Sequence, residues 1–131
     1  MDSLNVQDSG IAMCAAGNSR YAPTANAVKM AQVVLCQIEG FKALLDKNTD
    51  LFESKLKKAV ALESDSDFPT GPPKITKPSY EQYGEWLLAV DRFEEAKVQF
   101  ENALVRMPRR AKSLEGKYAA LQGLEQADKA L

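Results

Sequence analysis

Histidine is absent from this 131-residue chain. With it go the commonest general base near neutral pH, every imidazole metal ligand and every catalytic triad that needs an imidazole. The reactive side chains that remain are two cysteines, the lysines and the acids. Cys14 and Cys36 lie 22 residues apart without a CxxC pairing. A zinc site asks for about four ligands, and a disulfide scaffold asks for more cysteines in so short a chain. Both therefore read as free thiols, Cys36 on an apolar helix face and Cys14 in a loose N-terminal segment, which fits a reducing compartment. Neither GxGxxG nor GxxxxGK[ST] is present to cradle a phosphate. Glu94 and Glu95 at the start of the fourth helix and Arg106, Arg109 and Arg110 at its end read as charge complementing its dipole, in preference to a nucleic-acid site at Arg109, Arg110 and Lys112. No catalytic residue, no metal site and no cofactor is expected.

Seventeen basic side chains face eighteen acidic ones, for a net charge of −1. That balance offers no general attraction for nucleic acid or an anionic membrane. With 45% hydrophobic and 27% charged residues, the composition is that of one soluble globular domain. No apolar run approaches the ~20 residues of a membrane span. Asp2 and Asp8 stand where an export signal would carry basic residues, so the expectation is a cytoplasmic protein.

The elements that must position these residues are helical. Residues 1–19 are small and polar and predict a disordered or weakly ordered lead-in to a helical domain over 20–131. From Ala25 to Asp46, Val28, Ala31, Leu35, Ile38 and Leu45 fall on one helical face. Val34, Phe41 and Leu44 broaden that face, which suggests contacts on two sides. Thr49 is a candidate N-cap for a second helix from Asp50 to Glu63. Residues 64–78 hold four of the six prolines and break the pattern. Ser79, with Gln82 three positions on, has capping-box spacing for a third helix reaching about Val90. A turn at Asp91 and Arg92 leads to a fourth helix, Phe93 to Arg106, closed by Pro108. A fifth is expected over 110–123, ending near Gly123. No stretch alternates with period two long enough for a sheet, so the fold class is all-α, in helical hairpins.

Residues 79–108 carry a spaced pattern: Tyr80, Tyr83, Gly84, Leu87, then Phe93, Ala96, Phe100, Ala103, then Pro108. Together these positions resemble the tetratricopeptide repeat, with Tyr80, Tyr83 and Leu87 as substitutions of type that keep a large apolar body. The resemblance implies that Gly84 and Ala96 are small so that two helices approach closely, while the aromatics serve packing rather than base stacking. Asp91 stands where the family prefers glycine. Gly40, Leu56 and Ala59 precede Gly84, Phe100 and Ala103 by 44 residues, which gives a second, degenerate hairpin over 25–63 with residues 64–78 as an insertion. A step of 34 from Gly84 lands on Tyr118, where the small-residue rule fails. The sum is about two and a half repeats of an alpha-alpha superhelix. The chain also looks like the C-terminal part of bacterial tetratricopeptide proteins of unassigned role.

Members of that family are in general non-catalytic scaffolds that hold a peptide or partner helix on a concave face. Carried over by position, the resemblance implies a partner-binding groove at Gln37, Phe41 and Leu44, at Glu81, Glu85 and Leu88, and at Lys112 and Glu115. An extended basic or apolar protein ligand suits that set, although Glu81 and Glu85, four apart, also read as a solvated face. Phe68 and Ile75 in the insertion call for burial, so the loop is expected to fold back over the groove or the end of the first hairpin. A short stack leaves apolar ends uncovered, and a homodimer is one way to cover them. The competing readings are a small enzyme subunit and a purely structural fragment of a larger protein.

Overall fold

The computed structural model describes residues 22–68 and 75–131, and all regular structure within them is helical: α1 Ala25–Leu45, α2 Thr49–Ser64, α3 Ser79–Ala89, α4 Phe93–Arg106 and α5 Ala111–Ala130. The lead-in over 1–19 and Cys14 lie outside the described residues. Successive helices pack as neighbours, and α5 also lies against α3. One apolar cluster draws on every helix, from Ala43 through Leu56, Leu87 and Phe100 to Ala120.

The turns of the two hairpins are copies of one another. Lys47 and Asp91, 44 residues apart, both adopt left-handed backbone, with φ of 59° and 60°. Around each the same hydrogen bonds close the preceding helix. Asn48 N donates to Ala43 O at 2.8 Å, and Arg92 N donates to Leu87 O at 2.9 Å. One residue earlier, Lys47 N donates to Leu44 O and Asp91 N to Leu88 O. This is the Schellman termination, which satisfies the last carbonyls of a helix. Aspartate accepts the left-handed region through its short polar side chain, so the missing glycine at position 91 does not alter the turn.

Helix boundaries follow local chemistry, with four corrections. Asn48, not Thr49, caps α2, its side chain accepting from Leu51 N. The capping box expected at Ser79 is absent, because Ser79 N donates instead to the Glu63 carboxylate at 2.8 Å. Helix α5 runs seven residues past Gly123. That glycine has no positive φ and serves packing rather than termination: a Cβ there would stand 2.5 Å from the Phe93 ring. The residues beyond it, from Leu124 to Ala130, are good helix formers. The fourth correction concerns α1. Its inward face is Val33, Cys36, Gly40 and Ala43, whereas Ile38 and Leu45 from the expected stripe are 61% and 83% exposed. The helix is apolar on two sides, and the face with the smaller residues is the one that fits closely against α2.

The tightest packing is at one ring. Phe100 of α4 is fully buried, and it lies between two glycines on different helices. A Cβ added at Gly84 of α3 would come within 2.8 Å of the ring, and one at Gly116 of α5 within 2.2 Å. Residue Tyr118, expected to take the equivalent place on α5, is instead 63% exposed. The glycine that faces the ring from α5 is Gly116, 32 residues beyond Gly84 rather than 34. A stripe of Ser113, Gly116, Ala120 and Gly123, spaced three, four and three, is its sequence signal.

The ring cannot retreat from one glycine without striking the other. Gly116→Ala and Gly84→Ala are thus expected to lower stability by roughly 1–3 kcal/mol each, as overpacking does. At Gly40 a Cβ would meet its neighbours at an ordinary 3.5 Å. Gly40→Ala should therefore be neutral or stabilising by up to ~1 kcal/mol, from helix propensity. Denaturant midpoints of the three variants measure the contrast.

Candidate functional site

The residues implied as a groove come from α1, α3 and α5, and the structure divides them. Gln37 is half-buried and donates through Nε2 to Lys77 O and to Ser79 Oγ, both at 3.0 Å. Glu81 is 1% exposed, so the solvated face read for Glu81 and Glu85 is wrong for its first member. Its carboxylate accepts from Arg110 Nε at 2.6 Å and from Ser113 Oγ at 2.8 Å. Glu85 pairs with Lys77. Leu88 packs partly against the main apolar cluster. Phe41, Leu44, Lys112 and Glu115 are exposed, with the Phe41 ring 6.3 Å from that of Phe52.

The inward-turned members converge on the short segment before α3. Ile75 is buried with Val33, Cys36 and Ala59, as expected of an insertion folded over the first hairpin. Phe68 does not follow it. It is 61% exposed and lies beneath the Arg106 guanidinium at 4.8 Å. Arg106 also donates to Ser66 Oγ and Asp67 O, so a charged side chain with its own partners covers the ring where apolar burial was expected. Around residues 75–79, α1 contributes Gln37, α2 contributes Glu63, and Arg110 at the head of α5 reaches Thr76 O as well as Glu81. Arg110 is therefore a cross-helix tie rather than a complement to the dipole of α4. Glu63, Ser113 and Arg110 carry no local sequence signal, because their partners lie 16 to 32 residues away.

The electrostatics favour fixed charge rather than proton transfer. Burial pushes the Glu81 carboxyl up, but Arg110 and Ser113 together outweigh burial and hold it below its ordinary value of 4.5. A second network joins Tyr83 Oη, donating to Glu53 at 2.7 Å, with Arg92 at 2.9 Å from the same carboxylate. Burial, then the Glu53 charge, push the Tyr83 phenol well above its ordinary range, so it remains protonated. Burial likewise raises Cys36, and a buried thiol is a poor nucleophile. Among the described residues, no group of three acids or cysteines is placed to hold a metal ion, and no helix is long and apolar enough to cross a membrane. A depression lined by Met107, Pro108, Arg109 and Arg110 is open to solvent, and its Arg110 is committed to Glu81. Trp86, which is not a position of the repeat pattern, packs edge-on against Phe52 at 5.4 Å and beneath Arg92, tying the two hairpins together.

Compared with protein-family models, with curated proteins and with solved structures, the chain matches none.

Because the folded carboxyl of Glu81 sits below 4.5, its contribution to stability is complete above that pH. It is lost as pH falls through the lowered value. Glu81→Gln should remove this part of the acid sensitivity. At pH 7 it should cost about 2 kcal/mol, the scale of a hydrogen bond to a charged group. Urea unfolding at pH 7 and at pH 3 tests both statements.

Proposed function

We propose that the chain is a non-catalytic interaction module, built of stacked tetratricopeptide-like hairpins, that binds an apolar segment of a protein partner. The repeat reading is supported by the two Schellman turns at a 44-residue interval and by the burial of Gly40 and Gly84, Leu56 and Phe100, and Ala59 and Ala103 at the same interval. One observation carries the binding reading. Glu81 and Glu85, two of the three acids on the expected groove, are already neutralised by Arg110 and Lys77, while Phe41 and Leu44 of α1 keep apolar surface in water. Of the three, Glu115 alone is exposed with no cation paired to it among the described residues, so a basic ligand would find little further negative charge to meet. An apolar helix or strand would gain roughly 25 cal/mol for each Å² it covers.

The test uses the full chain as bait in a native lysate, with Leu44→Glu and Glu85→Ala beside the unaltered protein. Partners captured by the unaltered chain and by Glu85→Ala should fall at least about tenfold with Leu44→Glu, as expected when a charge enters an apolar contact. Equal capture by all three, or loss confined to Glu85→Ala, counts against the reading. Thermal unfolding of each bait separates loss of binding from loss of fold.

A further inference from the structure

The side of α1 that faces away from α2 has the sequence grammar of a helix-pairing seam. Ala31, Val34, Ile38, Phe41 and Leu45 are spaced three, four, three and four residues apart, the spacing that keeps one stripe against a second helix. The four large members are between 39% and 83% exposed. The stripe contains no charged residue; Lys42 stands at its edge. It runs about 21 Å at 1.5 Å per residue, and together with Leu44 it exposes on the order of 500 Å² of apolar surface, towards the upper end of the largest patch a monomer carries, a patch that is often functional. Two such faces closing on each other bury about 1,000 Å², the threshold for a specific association.

We infer that α1 pairs antiparallel with α1 of a second copy of this chain, through Val34, Ile38, Phe41 and Leu45. This rests on the reading of the exposed apolar surface as a protein-binding face and names its occupant. Self-complementarity argues for a second copy. About a two-fold axis between positions 39 and 40, Ile38 meets the partner's Phe41 and Val34 meets the partner's Leu45. Each layer then sets a β-branched side chain against a larger one. On the same flank Lys42 lies two residues, about 3 Å along the axis, from level with the partner's Glu39, which a long lysine side chain can span, and these opposite charges occur twice by symmetry. Glu39 keeps its bond to Lys55, 2.6 Å long, and is one-third exposed, so it has room for a second cation. A parallel pair would instead stack Phe41 on Phe41, and would bring Lys42 to the uncharged Gln37. Helix α2 lies on the opposite side of α1 and does not obstruct the approach.

Sedimentation equilibrium of the full chain tests the pairing. A dimer is expected whose dissociation constant rises about 100-fold or more with Ile38→Glu, as when an interface anchor is lost. The milder Leu45→Ser should weaken it about tenfold, and Lys42→Glu should weaken it with a reduced dependence on salt. Circular dichroism should be unchanged, since these side chains stand outside the core. A monomer at all concentrations overturns the inference. So does a dimer that survives Ile38→Glu and Leu45→Ser but yields to Tyr118→Glu, which would put the contact on α5. A monomer in which residues 1–21 become protease-sensitive on Ile38→Glu assigns the face to that segment instead. None of these outcomes removes binding of another protein at Leu44, which the lysate experiment reads separately.

Discussion

A phenylalanine ring held between two glycines organises the C-terminal half of this protein. Phe100 fits between α3 and α5 only because neither Gly84 nor Gly116 presents a Cβ. Ring and glycines set the spacing and the register of three helices at once. The register matters beyond the ring itself. One turn before Gly84 is Glu81, and one turn before Gly116 is Ser113, and those two side chains meet at 2.8 Å. The close approach thus brings a buried acid to its hydroxyl partner and to Arg110 at the head of the same helix. A wider gap would leave Glu81 without partners in an apolar surrounding, a costly state for a carboxylate.

The polar ties around residues 75–79 complement that packing. Apolar contact is indifferent to direction, and a chain of hairpins could slide or splay without losing much buried area. Glu63, Gln37 and Arg110 hold the start of α3 from three different helices, and each bond tolerates only a narrow geometry. A buried ion pair of this kind adds little net stability, because desolvation offsets much of its attraction. Its effect here is to fix how the second hairpin sits on the first. The same ties take Glu81 out of solvent and half-bury Gln37, while Glu85 stays exposed with its charge paired to Lys77.

How much could be read without coordinates differs from element to element. The boundaries of α4 follow from Phe93, Pro108 and the spacing between them, and a turn at Asp91 and Arg92 is legible too, although its left-handed backbone is not. Helix α1 was only half legible. Its apolar residues cover two opposed faces, and periodicity alone does not tell which one a neighbour will take. The choice fell to Cys36, Gly40 and Ala43, whose small size lets α2 approach. The fifth helix misled in another way, because Gly123 looks like a stop signal until Phe93 is seen occupying the space beside it.

The all-helical class, the hairpin order and the 44-residue echo are properties of the amino-acid string, since they depend on periodicity, prolines and turn residues acting within a few positions. Which of the singled-out residues stay exposed did not follow from the string. Glu81 finds Arg110 29 residues away, Gln37 finds Ser79 at a distance of 42, and no local rule connects such pairs. Their meeting depends on how closely whole helices pack, and that closeness comes from a ring and two absent methyl groups on three separate helices.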